Sequence, residues 1–162
     1  MTVTPNGASV APNLLDPARA DAQGLPLWRR RVELADSVRQ LEQAAAAEAS
    51  DGLWRRRVSE RLIQMRRIFA EHVACTEGAS GLYAELLIAA PRLSRGVGGL
   101  ARDHGVIARH MDALHGHLTD PLLSVEHLRR WLAVLLEELR QHQRRGVDLV
   151  YEAYTTDIGG ET

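Results

Sequence analysis

Lysine is absent from this chain: arginine supplies all 20 basic side chains, set against 21 acidic ones for a formal charge of -1. So even a balance excludes a general attraction to nucleic acid or to an anionic membrane surface. The all-arginine bias reads as genomic base composition rather than as a phosphate-binding device. Cysteine occurs once, at Cys75, so no internal disulfide can form and a reducing compartment is expected. Aromatic residues are scarce, with one Phe, three Tyr and three Trp. Leu, Ala and Val are left to build the core, which favours helices over sheets. No apolar run approaches the ~20 residues of a membrane span, and the first residues lack the basic-then-apolar order of a secretory signal. The expectation is a cytoplasmic protein without a membrane segment, and its 162 residues suffice for one domain with a sizeable core.

Residues 1–25 mix Pro, Gly, Asn, Ser and Ala without a sustained period. They cannot bury enough surface to offset their ordering entropy, so a disordered leader is expected there and the folded domain over 26–162. From Pro26 the pattern Trp28, Val32, Ala35, Val38, Leu41, Ala45 predicts an amphipathic helix to about Ala49. Ser50, Asp51 and Gly52 break it, and Ser50 or Asp51 can cap a second helix from Leu53 to Thr76. Leu82 to Ala90 is a short helical stretch. Pro91 then opens a third long helix to Leu118, and Asp120 or Ser124 caps a fourth that runs to about Thr155. Gly96, Gly98 and Gly99 weaken the third helix by ~1 kcal/mol each relative to Ala, and mark a close approach or a bend. Four main helices with short links predict an all-α, antiparallel up-down four-helix bundle.

Three histidines stand where aliphatic core residues belong. One stripe runs Leu62, Met65, Phe69, His72, Thr76; the next Leu100, His104, Ile107, Met111, Leu114; the last Leu132, Leu135, Leu139, His142, Gly146, Leu149. Each steps by three and four residues, so His72, His104 and His142 should all point inward, whereas His110, His115, His117 and His127 fall beside the stripes and should face water. A lone histidine on an apolar face is usually a core residue with satisfied nitrogens. Three on separate helices give a metal site equal weight, because facing helices build such sites from inward imidazoles.

Depth along the bundle decides whether they meet. Measured from Pro121, His104 lies about 17 residues before the turn and His142 about 21 after it, a mismatch of ~6 Å that helix stagger has to absorb. His72 reaches their level only if Leu82 to Ala90 crosses over the bundle end. Among carboxylates, Glu77 ends the His72 helix and is the first candidate ligand. Glu138, one turn before His142, is the reserve; its other reading is a solvated glutamate pairing with Arg130, Arg145 or a neighbour.

The segments EHVACTEG around His72, GLYAEL and AAPRL in the link, LARDHGVIARHMDAL around His104 and LRQHQRRGVDLVYEAYTTDIGG around His142 resemble the hemerythrin-like group of cation-binding bundles, over roughly Trp28 to Gly160. That resemblance implies an antiparallel bundle holding two non-haem irons through histidines and bridging carboxylates, and a role in binding dioxygen, sensing oxygen or redox state, or storing iron. His72, Glu77, His104 and His142 would inherit the liganding roles. The chain departs from the pattern where second ligands belong: Thr76, Ala108 and Gly146 stand four residues after the three histidines, and Asp148 falls on the wrong side of its helix. One ion, iron by resemblance, is therefore expected rather than a diiron cage, with open positions for dioxygen or another small ligand.

Other chemistries find little support. Cys75 is three residues from His72, but no orienting third group or oxyanion feature is in view, so an inert buried thiol is expected. GVGG at 96–99 lies inside a helical pattern and lacks the Lys of a phosphate loop. LWRRRV occurs at 27–32 and again at 53–58 without further similarity, and its arginines are expected to be mostly solvated. Two functions remain: a non-enzymatic metal-binding bundle, or a metal-free helical module that works through contacts with a protein partner.

Overall fold

The computed structural model describes residues 27–49 and 52–155. It is all-α, with no strand among those residues: α1 Leu27–Ala46, α2 Trp54–Glu77, α3 Leu82–Ala89, a 3-10 turn Pro91–Leu93, α4 Ser94–Thr119 and α5 Val125–Thr155. The expected leader, and the cap at Ser50 or Asp51, lie outside the described residues. No helix among the described residues is long and apolar enough to cross a membrane.

The four long helices form a closed ring in which α1 packs on α2, α2 on α4, α4 on α5 and α5 on α1. Short links make α1 and α2, and α4 and α5, antiparallel neighbours. Between α1 and α2 the chain turns at Gly52, whose φ of 68° suits a residue without Cβ. The Trp54 indole, 1% exposed, donates to the carbonyl of Ala45 at 3.2 Å. Arg129 of α5 lies over the Trp54 ring and donates to the carbonyls of Ala45 and Ala47, so orphan acceptors at the end of α1 find donors. At the other link, Ser124 Oγ accepts the His127 amide at 3.1 Å and so caps α5, while Asp120 Oδ1 accepts the Leu122 amide within the turn.

The arginine triplets are less solvated than their sequence suggests. Arg55 donates to the carbonyls of Leu118, Asp120 and Leu123, tying the α4–α5 link to α2. Arg30 is only 6% exposed and pairs with Glu71 at 3.4 Å. The α1 stripe also differs from expectation. Leu34, Val38 and Leu41 enter the core with Ser37, whereas Val32 and Ala35 are exposed. The helix is rotated so that Arg30 meets α2, and Val32 and Ala35 are freed for a cavity described below.

Two apolar clusters fill the interior. The larger joins α1, α2, α4 and α5 through residues such as Leu62, Met65, Ile107, Leu132 and Leu139. The smaller, built from Tyr83, Leu86, Leu93, Val97, Leu100 and Leu149, lies where α3 packs on α2, α4 and α5. Thus α3 crosses the bundle end instead of extending α4. Gly81 makes that crossing possible: a Cβ there would stand 2.7 Å from the carbonyl oxygens of Cys75 and Thr76. At Gly96 the expected close approach is met by Leu149, whose Cδ1 would lie 2.6 Å from an added Cβ.

Gly81→Ala is therefore expected to destabilise the fold by ~1–3 kcal/mol, because backbone cannot yield as a side chain can. Gly116→Ala, helical with open space around the added methyl, should stabilise it by ~0.5–1 kcal/mol. Urea unfolding midpoints of the two variants should move in opposite directions.

Candidate metal centre

His72 of α2, His104 of α4 and His142 of α5 meet at the junction of the two apolar clusters. His142 Nε2 lies 3.2 Å from His72 Nε2 and 3.1 Å from His104 Nε2. One donor atom from each ring falls within 4.8 Å of the other two. His104 and His142 are each 3% exposed. Phe69 lies under all three rings, with centroids 5.6–6.3 Å away. Tyr83 stacks on His104 from the other cluster and places its hydroxyl 3.4 Å from His104 Nε2. Burial pushes the Tyr83 phenol above its ordinary range, so it stays a neutral donor.

Carboxylates stand behind two of the rings. His104 Nδ1 donates to Glu77 Oε1 at 2.6 Å. His142 Nδ1 faces Asp103 Oδ2 at 3.6 Å, beyond hydrogen-bond length, and Asp103 is held at 2.7 Å by Arg145. An ionised carboxylate only accepts, so Glu77 keeps the proton of His104 on Nδ1 and turns the Nε2 lone pair of that ring toward His142, whereas Asp103 makes no hydrogen bond that fixes the His142 tautomer. His104 Nε2 then needs a donor, which Tyr83 Oη at 3.4 Å or His142 Nε2 at 3.1 Å can supply, and the facing Nε2 atoms of His72 and His142, 3.2 Å apart, can share one proton.

The two pairs of nitrogens, 3.1 and 3.2 Å apart, would each subtend roughly 100° at an ion ~2.0–2.1 Å from both, an angle compatible with tetrahedral or octahedral coordination. Imidazoles oriented by carboxylates are the usual support of such ligands.

Glu77 thus stands beside the site, at the Nδ1 edge of His104 rather than among the converging nitrogens. Glu138 is elsewhere: its Oε2 lies 2.6 Å from Nδ1 of His110, and both side chains are half-buried. The pairing arises because His110 of α4 faces α5 and reaches Glu138 before any member of the cluster does. His110, His115 and His117 are half-buried rather than fully turned to water, and His127 is exposed. Cys75, half-buried, has no place among the converging atoms.

Sequence reasoning passed over Asp103, Tyr83 and Phe69. Asp103 adjoins His104 and is turned about 100° around α4 from it, toward α5. Asking which α4 residue faces α5 at the level of His142 would have found it.

A cavity of about 300 Å³ opens onto the cluster from the side of α1, α3 and α5, and His72 and His142 form part of its wall. Comparison of the chain with family models, with curated proteins and with solved structures gives no match.

Burial, chiefly, pushes His72 down to about 3; His104, His142 and Arg31 act in the same direction. His142 is held at about 4 by burial and by His104, against the opposing pull of Asp103. Both are neutral when folded and ordinary when unfolded, near 6.5, so the unfolded chain takes up their protons first as pH falls. Their stability contribution is complete above pH ~6.5 and is lost toward pH 4 and 3, with a slope approaching ~1.4 kcal/mol per pH unit for each group. Urea titrations of chelator-treated protein between pH 7.5 and 4.5 should show this fall, and His142→Leu should roughly halve it.

Proposed function

We propose that this chain is a hemerythrin-like bundle reduced to one non-haem metal ion, held by Nε2 of His72, His104 and His142. Iron is the ion the resemblance implies. The observation that carries the reading is the convergence of three imidazoles from three helices in the interior, with His142 Nε2 3.2 Å from that of His72 and 3.1 Å from that of His104, and with the Glu77 carboxylate behind His104. Glu77 orients His104 through Nδ1, and Asp103, itself braced by Arg145, faces Nδ1 of His142 at 3.6 Å. Phe69 and the aliphatic core exclude water from one side, and the cavity leaves the other open. Three protein ligands leave coordination positions free, as in sites that take up a small molecule. The function is reversible binding of a small ligand, dioxygen among the candidates, for oxygen or redox sensing rather than turnover. The proposed Glu138 ligand is given up in this reading, because His110 engages it.

Tag-free protein, reconstituted anaerobically with Fe(II), Zn(II) or Mn(II), should retain close to one equivalent of metal by elemental analysis. Less than a tenth of an equivalent for all three would instead support a metal-free module acting through a protein partner. His104→Leu should abolish binding with the fold retained. Glu77→Gln should weaken it by ~10–100-fold, the usual effect of removing a carboxylate behind a ligating histidine. If His104→Leu kept its metal while losing ~1–3 kcal/mol of stability, the histidines would be a structural network.

A further inference from the structure

The cavity beside the histidines has a lining of one kind and a charge of one sign. Its wall is mostly aliphatic, from Val32 and Ala35 of α1 through Leu86 of α3 to Val147 and Val150 of α5, and no acidic side chain among the described residues lines it. Its volume of about 300 Å³ is at the small end of organic-ligand sites.

Two arginines border it, and they differ. Arg30 is already paired with Glu71. Arg31, half-buried, has no hydrogen-bond or ion-pair partner among the described residues. Its guanidinium is desolvated without compensation, and its field reaches His72. A part-buried charge with no partner among the described residues is costly, and an anion from solution would offset that cost. Arginine offers that anion a planar fork matched to a carboxylate.

The rotation of α1 has the same consequence. Val32 and Ala35 follow the core period of the sequence and yet are spared from the core; they face the cavity instead, next to Arg31 and one turn beyond it. Apolar surface left in a concave wall beside an unopposed cation is complementary to a molecule with an apolar body and an acidic end.

We infer that this cavity binds a monocarboxylate with an apolar body, its carboxylate at Arg31 above the three-histidine cluster and its hydrocarbon along the α1–α5 wall. This deepens the metal reading, since a carboxylate at Arg31 stands next to the open side of that centre, but the cavity and Arg31 can be tested apart from the metal.

Octanoate, 1-octanol and acetate serve as probes, titrated by calorimetry into the full chain in Co(II)-loaded and in chelator-treated form, with the Co(II) visible spectrum as a second readout. Octanoate should bind at least ten-fold more tightly than either 1-octanol or acetate and perturb the Co(II) bands. Arg31→Met should weaken octanoate at least ten-fold and leave Co(II) uptake unchanged. Val147→Trp, at a half-exposed position where added bulk enters the cavity without loading the core, should also block octanoate and spare the metal. Equal binding of octanoate and 1-octanol, or an unaffected Arg31→Met, overturns the inference. Octanoate binding that depends on Arg31 in a protein retaining no metal sustains the cavity and overturns the metal reading. Metal uptake without octanoate binding does the reverse.

Discussion

Three neutral imidazoles that bring their Nε2 atoms together have few protons to share, and Glu77 draws one of them away by holding the His104 proton on Nδ1. That constraint organises the interior of this bundle. Buried polar groups normally find partners, and those that do not carry the full penalty of leaving water. Nδ1 of His142 already lacks a hydrogen-bond partner, and the downward shift of the His72 and His142 titrations expresses the same cost. An interior built only for stability would place leucines here, since the adjoining stripe positions are Leu, Ile, Met and Phe. Histidines at these three positions thus cost stability that leucines there would not.

The fold makes this convergence possible by a device outside the four main helices. His72 is near the end of α2, and a simple hairpin into α4 would leave it at a different height from His104. The Gly78 to Gly81 turn, packed so closely that Gly81 admits no side chain, sends α3 across the bundle end and starts α4 beyond it. Tyr83, delivered by α3, then covers His104, while Phe69, three residues before His72 on α2, supports the rings from the bundle side. Each ligand candidate is carried on a helix rather than a loop, so its position is fixed by packing before any ion arrives.

Most of this was legible in the period of the apolar residues. The stripes on α2, α4 and α5 are long, and a histidine in mid-stripe has nowhere to point but inward, so the three site histidines followed from spacing. The α1 face did not. Trp28, Val32, Ala35 and Val38 fit a helical period as well as Leu34, Val38 and Leu41 do, and only tertiary structure, with Arg30 drawn to Glu71, decides between the two. Carboxylates were harder still. Glu138 shares a face with His142 on its own helix, and periodicity cannot show that His110 from α4 gets there first. Asp103 sits beside a histidine in sequence yet serves a different one in space.

Charge around the cluster bears on what the site prefers. A divalent ion would face two carboxylates, Glu77 and Asp103, and so stand close to neutral with them. Asp103, however, is shared with Arg145, and Arg31 adds its own field at His72. A loaded centre would then keep a net positive character on the side where no acidic residue among the described ones lines the cavity. Low-dielectric walls strengthen such a field, because little water is present to screen it. Dioxygen, being neutral, would gain little from the asymmetry, whereas an anion entering between α1 and α5 would gain from both the ion and Arg31. With an ion in place, the electrostatics would rank anionic ligands above neutral ones on the same three histidines, and would do so through α1, the one long helix that contributes no histidine to the cluster.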